Sequence, residues 1–294
     1  MELKDYQAHA LSLNSQGILK LQQRKYSEAT ALFRNGLELL LVSFQNAPRV
    51  TAQKLAPAPL LTKPVSLTPV SQPDINNSCY ENQQQCADSD DENDVDMDMG
   101  STPERFLLSV PVFEEKPSSD VDDFFVMFGR ALHLSFDLML DLQQKCEGVS
   151  PFCSNVLTAV LLYNIGLTHH YHGLEKCESK DMSCALEYYS LAYTTLADQE
   201  DIALSINGNQ AVPLHLAFLS LANNMGHIHC YFRVFGRTDI CVHEIGCLLS
   251  NLVNSRPQEV GATVPAELTD VEYRTFFLNV CFFREIGELA APAA

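Results

Sequence analysis

Positive charge is scarce in this chain. Its 294 residues carry 19 Lys and Arg against 37 Asp and Glu, a net charge of −18. Non-specific nucleic-acid binding needs a basic face to neutralise phosphates, so this balance argues against it. It argues equally against an anionic membrane surface and favours a basic partner or plain solubility. The deficit is partly local, because Asp88 to Asp98 holds seven acids and no base. Long apolar runs are also lacking. No stretch reaches the roughly 18 uncharged apolar residues of a membrane span; "TAVLLYNIGL" is too short. The N-terminus has no basic region ahead of an apolar one, so no secretory signal is expected, and the closing "APAA" matches no address motif. The expected location is cytoplasm or nucleus. No HExxH, Walker loop, GxSxG or Rossmann glycine pattern is present. The chain therefore reads as a non-enzyme with no cofactor. Its ten cysteines form no CxxC. Cys79/Cys86, Cys146/Cys153 and Cys177/Cys184 lie seven apart, which suits neither a zinc ribbon nor a finger. Without an export signal they read as reduced, mostly buried thiols.

What is present is helical periodicity, in blocks. Residues 1–46 read as a helical hairpin. Tyr6, Ala10, Leu13, Gly17 and Leu21 recur at helical steps, and "QQRKYS" is a polar turn. Ser27 is placed to cap a second helix, on which Ala29, Leu32, Phe33, Gly36, Leu37 and Leu40 form the apolar face. Residues 47–104 are Pro-rich, then polar and acidic. They offer no periodicity to offset the entropy of ordering and read as a disordered linker. Their acidic run reads as a solvated spacer or a docking tail for a basic partner, with Ser89 an acidophilic-kinase target by composition. Residues 105–142 are bulky and apolar. Leu132, Leu134, Phe136, Leu138, Leu140 and Leu142 share one parity, so two extended segments around "KPSSDVDD" are expected, as in a short β-hairpin; leucine is also a strong helix former, and a helical second half would be apolar all round and fully buried. Residues 143–290 return to helix. Helices are expected near 154–175, 181–197, 213–235, 239–254 and 269–287, with Pro213 at a first helical position and Thr269 as a cap.

Five of the nine histidines fall in two short stretches, "NIGLTHHYHGL" from Asn164 and "NMGHIHCYF" from Asn224. Aligning Gly166 with Gly226 shows a shared N-x-G-x-x-H-x-Y, four identities within eight positions. Such a match makes the stretches one register of an internal repeat. Glycine in mid-helix is costly unless another helix approaches closely there. Gly17, Gly166 and Gly226 therefore mark close helix crossings.

The skeleton resembles the tetratricopeptide repeat. The first unit matches at Leu13, Gly17, Tyr26, Ala29, Phe33 and Gly36, and Gly17 to Ala29 is twelve residues, as in the family. The second matches at Gly166, Ala185, Tyr189 and Ala192, with "GLEKCESKDMSC" as a turn seven residues longer. The third matches at Asn224, Gly226 and Tyr231, but "TDICVHEIGCLLSNLV" lacks the family's Ala-x-x-x-aromatic signature. The units lie 60 residues apart instead of 34.

This resemblance implies a mostly α fold: a helical-hairpin solenoid with a long disordered insertion and a capping last helix rich in Phe276, Phe277, Phe282 and Phe283. It implies repeat packing through Gly17, Ala29, Phe33, Gly166, Ala185, Tyr189 and Gly226. It also implies a groove for peptide segments of another protein. In the family the Asn two before the small residue often faces that groove. Asn164 and Asn224 match it, and Ser15 stands there in the first unit. Tyr163, His170, Tyr171, His227 and Tyr231 are expected beside them as peptide-binding residues. The carboxylate-clamp variety wants Lys and Asn where this chain has Asn14 and Ile18, so acidic chaperone tails are not the expected ligand. The expected activity is therefore protein–protein interaction. Two alternatives stand beside it. One is a metal-dependent enzyme built on His169, His172 and His229. The other is a structural subunit of an oligomer. His169 reads as packing and His172 as a helix end.

Overall fold

The computed structural model describes residues 3–46, 105–113, 125–145, 150–199, 214–254 and 268–290. The Pro-rich and acidic stretch 47–104, Pro213, and Cys79, Cys86 and Cys146 lie outside them. The described chain is mostly helical. Its elements are α1 (Leu3–Gln22), α2 (Tyr26–Asn46), β1 (Leu107–Pro111), β2 (Arg130–Leu134), α3 (Phe136–Lys145), α4 (Ser150–Lys176), α5 (Ser179–Ala197), α6 (His215–Tyr231), α7 (Phe235–Asn254) and α8 (Asp270–Ala290). Contacts run in order along the chain: α1 with α2, α2 with α4, α4 with α5, α5 with α6, α6 with α7, and α7 with α8.

Three pairs (α1/α2, α4/α5 and α6/α7) turn in the same way. The first helix of each ends at a non-glycine residue in the left-handed region: Arg24 (φ 59°), Cys177 (φ 55°) and Arg233 (φ 57°). In each, the next amide donates back five residues. Lys25 N–H reaches Lys20 O, Glu178 N–H reaches Gly173 O, and Val234 N–H reaches His229 O, at 2.8–2.9 Å. This is a Schellman-type close, which satisfies carbonyls the helix end would otherwise leave orphaned. A short second-helix lead follows at once, so each pair folds back antiparallel.

The glycines sit where the pairs cross. A Cβ on Gly17 would strike the Phe33 ring, and one on Gly166 would stand 2.8 Å from the Tyr189 ring. Phe33, Tyr189, Ala29 and Ala185 are all fully buried. Burial of each aromatic contributes about 2–3 kcal/mol, several times the cost of a mid-helix glycine.

Four sequence expectations change. "GLEKCESKDMSC" is not a long turn. Compared with the first pair, four of its seven extra residues extend α4 before Cys177 and three extend α5 after it. Each addition is about one helical turn, so the apolar faces stay in phase. The period-two run does not continue as strand past Leu134: Ser135 O accepts the Met139 amide and opens α3. Leu, Met and Gln are good helix formers, Asp137 favours the first turn, and only five residues of β1 are available to pair. Ser27 lies inside the first turn of α2, one residue beyond its start. The helix expected over 213–235 ends at Tyr231, and its successor begins at Phe235, because Arg233 takes the left-handed turn.

Thr269 does cap α8. Its hydroxyl accepts the Glu272 amide at 3.2 Å and Glu272 Oε2 accepts the Thr269 amide at 2.6 Å, a capping box. α4, by length and composition alone, could cross a membrane, but most of its apolar window is buried inside the protein. It is the central helix, packed on by α1, α2, α3, α5 and β2.

β1 and β2 form an antiparallel pair with Leu107 opposite Leu134 and Pro111 opposite Arg130. The segment leading into β2 is described from Phe125. Phe125, Phe128, Ala131, Leu132 and Leu134 belong to the one hydrophobic core cluster.

A groove lined by side-chain amides

One edge of β2 is paired with β1, and the pairing runs on to Gly129. The Val112 amide donates to Gly129 O and the Ser135 amide to Phe106 O. Among the described residues the opposite edge has no strand beside it, yet a buried main-chain group without a partner costs about 1–3 kcal/mol. Helical asparagines supply the partners. Asn164 Oδ1 accepts the Leu132 amide at 2.9 Å, and its Nδ2 donates to Leu132 O at 2.8 Å. Asn224 does the same for Phe128, at 2.9 and 3.1 Å. Asn279, on α8, does it for Val126, at 2.7 Å in both directions. A carboxamide carries one donor and one acceptor in a plane, as a peptide group does. Three helices therefore present a side-chain imitation of a neighbouring strand, reading main chain at Val126, Phe128 and Leu132.

The clasp is braced. Asn164 Nδ2 also donates to Asn14 Oδ1 at 2.8 Å, and Asn14 Nδ2 donates to Leu132 O at 3.2 Å. Asn223 donates to Val126 O and accepts from Asn279. The Arg130 carbonyl takes the Tyr163 hydroxyl at 3.0 Å, and Gly129 O takes the Tyr171 hydroxyl at 2.9 Å. A side chain at Gly129 would collide with that Tyr171 oxygen. Ser15 faces the His133 ring at 2.9 Å.

Behind the asparagines runs a polar chain. Asn224 Nδ2 approaches the Tyr189 oxygen at 3.3 Å, Tyr189 OH approaches His170 Nδ1 at 3.3 Å, and His170 Nε2 approaches His227 Nδ1 at 2.9 Å. Asn224 Nδ2 can only donate, and the direction of the Tyr189–His170 and His170–His227 contacts is set by the tautomers of the two imidazoles. Burial holds the Tyr163 and Tyr189 phenols well above their ordinary pKa, which keeps them protonated donors. Burial, reinforced by His227, pushes His170 well below its ordinary range, and burial pushes His227 down to about 4. Both rings are neutral near pH 7.

The structure places the candidate residues as follows. Asn164, Asn224 and His170 are fully buried, and Tyr163 is 1 % exposed. Asn164, Asn224, Tyr163 and Tyr171 meet the strand, while His170 and His227 meet each other behind it. Tyr231 lies apart, 44 % exposed, edge-on to Phe232. Gly226 crosses no α7 aromatic; the Phe125 ring reaches it from the strand, at 2.8 Å from a Cβ placed there. His169 and His172 share one carboxylate: each Nδ1 lies 2.7 Å from Asp181, which ties α4 to α5 through the added turns. His169 also stacks on Tyr188. Half-buried His229 is held below its ordinary pKa by burial and by Arg237. Among the described residues no group of three or more His, Cys, Asp or Glu side chains is arranged to hold a metal ion. The described cysteines are free thiols.

Asn279, Asn223 and Asn14 were not among the sequence candidates. Asn279-Val-Cys281 repeats the Asn-x-small pattern of Asn164 and Asn224, 55 residues after the latter, and that spacing was the available signal. Comparison with protein-family models, with curated proteins and with solved structures returned no match to this chain.

Proposed function

We propose that this chain is a tetratricopeptide-like helical-repeat protein that works by protein–protein interaction, taking an extended segment of a partner into the groove lined from Asn164 and Asn224. The observation that carries this reading is the carboxamide clasp. Asn164, Asn224 and Asn279 grip main-chain N–H and C=O together, the contact that suits extended backbone of any sequence. Here the chain's own residues 125–134 lie in the clasp. A partner segment therefore enters by taking the place of that resident strand. It must match what the strand buries, with large apolar residues at the positions of Phe125, Phe128, Leu132 and Leu134 and a glycine at that of Gly129.

The test is a photo-crosslinking amino acid at position 126. Val126 is 37 % exposed and its main chain sits between Asn223 and Asn279. Irradiation in the native cell is expected to attach a partner protein there, while the same probe at exposed Leu19 on α1 captures it far less. Partners that co-purify with the chain yet never cross-link at 126 place binding elsewhere and remove this reading.

A further inference from the structure

Residues 125–134 carry a single formal charge, that of Arg130. The fold meets it with a defined set of acceptors. Arg130 Nε donates to Ser109 Oγ at 2.7 Å, and Arg130 Nη2 donates to the Ser109 carbonyl at 3.3 Å. Two neighbouring N–H groups of one guanidinium therefore fork onto two oxygens of one residue. That planar fork belongs to arginine; the point-like ammonium of lysine does not supply it. Ser109 Oγ in turn donates to Glu272 Oε1, while Glu272 Oε2 holds Arg105 Nη1 at 3.1 Å. Glu272 is buried in the first turn of α8, where its charge is little screened by solvent and polarises the serine towards a cation.

We propose that the groove selects segments carrying an arginine at the place of Arg130. This rests on the reading that a partner segment takes the place of the resident strand, and it names what that segment must bring. Arg105, Ser109 and Glu272 all lie outside 125–134 and hold one another, so the receptor for a guanidinium outlasts the strand's departure. The partner is then a protein with an extended stretch in which arginine follows glycine and stands two residues before a large apolar residue, as Arg130 stands between Gly129 and Leu132. The asparagines read main chain and are indifferent to side chains; the Ser109–Glu272 pair supplies selectivity. A neutral residue at this place leaves the Ser109 oxygens short of a charged donor, and an acidic one meets the charge of Glu272. Charge balance agrees. The chain is at −18, and Asp270 joins Glu272 in the first turn of α8, so a basic segment is drawn in.

Fluorescent peptides with the sequence of Phe125 to Leu134, followed by anisotropy on the full chain, test this. They differ only at the residue matching Arg130, which is arginine, lysine or norleucine. Norleucine keeps an apolar stem and loses the guanidinium, and is expected to weaken binding about 10–100-fold. Lysine keeps the charge without the fork and should fall between the two. The arginine and norleucine peptides are then titrated onto Ser109→Ala, where the ratio of their affinities should fall towards one. Displacement of the resident strand is common to both peptides and cancels in that ratio, so a change in strand stability does not imitate the result. Circular dichroism checks the variant, and Ser109→Val replaces it if alanine there fails to fold. An arginine peptide that binds no better than norleucine, or a ratio unchanged by the Ser109 substitution, overturns this inference and leaves the groove standing. If no peptide of the set binds, the groove reading itself fails and this inference falls with it.

Discussion

The ring of Phe125 fills the space above Gly226 that a second-helix aromatic fills in the other two pairs. Phe33 covers Gly17 and Tyr189 covers Gly166 from within their own pairs, but α7 offers no such ring. The third pair is completed by the strand, so the strand is an integral part of the core as well as the occupant of the groove.

That contact gives the first prediction. Gly226→Ala would place a methyl 2.8 Å from Phe125 Cζ and 3.2 Å from Cys241 Cβ, an overpacking that costs about 1–3 kcal/mol. Phe125→Leu alone leaves a void and costs about 1–3 kcal/mol. The double variant should cost less than the two together, because the smaller side chain makes room for the methyl. Urea unfolding of the four proteins measures the coupling.

Asn224→Ala and Asn164→Ala each strand one buried N–H and remove one of two donors to a buried C=O, Phe128 O keeping the Tyr163 hydroxyl at 3.4 Å and Leu132 O keeping Asn14 at 3.2 Å. Each is expected to lower stability by about 2–5 kcal/mol. Amide hydrogen exchange should localise the loss, with Phe128 deprotected first in Asn224→Ala and Leu132 first in Asn164→Ala. Equal deprotection across the whole chain in both variants would mean that the asparagines do not act as separate clasps.

Acid should loosen the joint between α4 and α6. His227 titrates near 4 in the folded chain against about 6.5 unfolded. The unfolded state therefore takes up the proton first. The contribution of the neutral pair is complete above pH 6.5 and is lost as pH falls towards 4; His170 acts in the same direction. His227→Gln should flatten the stability–pH curve in that window. A curve of unchanged slope contradicts the assignment of a neutral pair.

Glu272 is the buried anchor of the hairpin's far side. It is 1 % exposed and accepts from the Thr269 amide, the Ser109 hydroxyl and Arg105. Glu272→Ala removes at once the acceptor of the Thr269 amide, the Ser109 hydroxyl and Arg105, and is expected to cost about 2–4 kcal/mol. Thr269→Ala removes only the cap, at about 1 kcal/mol. Thermal melts of both rank them.

Much of this was legible beforehand because helical signals are local. Gly17 and Gly166 marked true crossings, and Thr269 marked a true cap. Asn164 and Asn224 were singled out from one register of a repeat, and both prove to hold extended backbone. The source of that backbone could not be read, since nothing local in "FFVMFGRALHLSF" says which helices will lie beside it. The added turns of α4 and α5 looked like a loop because "GLEKCESKDMSC" mixes charge with cysteine. Only the shared Asp181 contact of His169 and His172 shows why two polar turns stay helical. Phe136 to Leu142 kept strand parity by coincidence, and the chain turns helical at Ser135, whose carbonyl accepts the Met139 amide.

The most direct measurement of the account is a binding titration. A fluorescent peptide with the sequence of Phe125 to Leu134 is added to the full chain and followed by anisotropy, with exchange at Phe128 and Leu132 followed in parallel. The account predicts saturable binding that deprotects the resident strand. It also predicts loss of binding when the peptide is N-methylated at the residues matching Phe128 and Leu132, where the asparagines need an N–H. Absence of binding, or binding indifferent to those methyl groups, contradicts a groove that captures extended main chain.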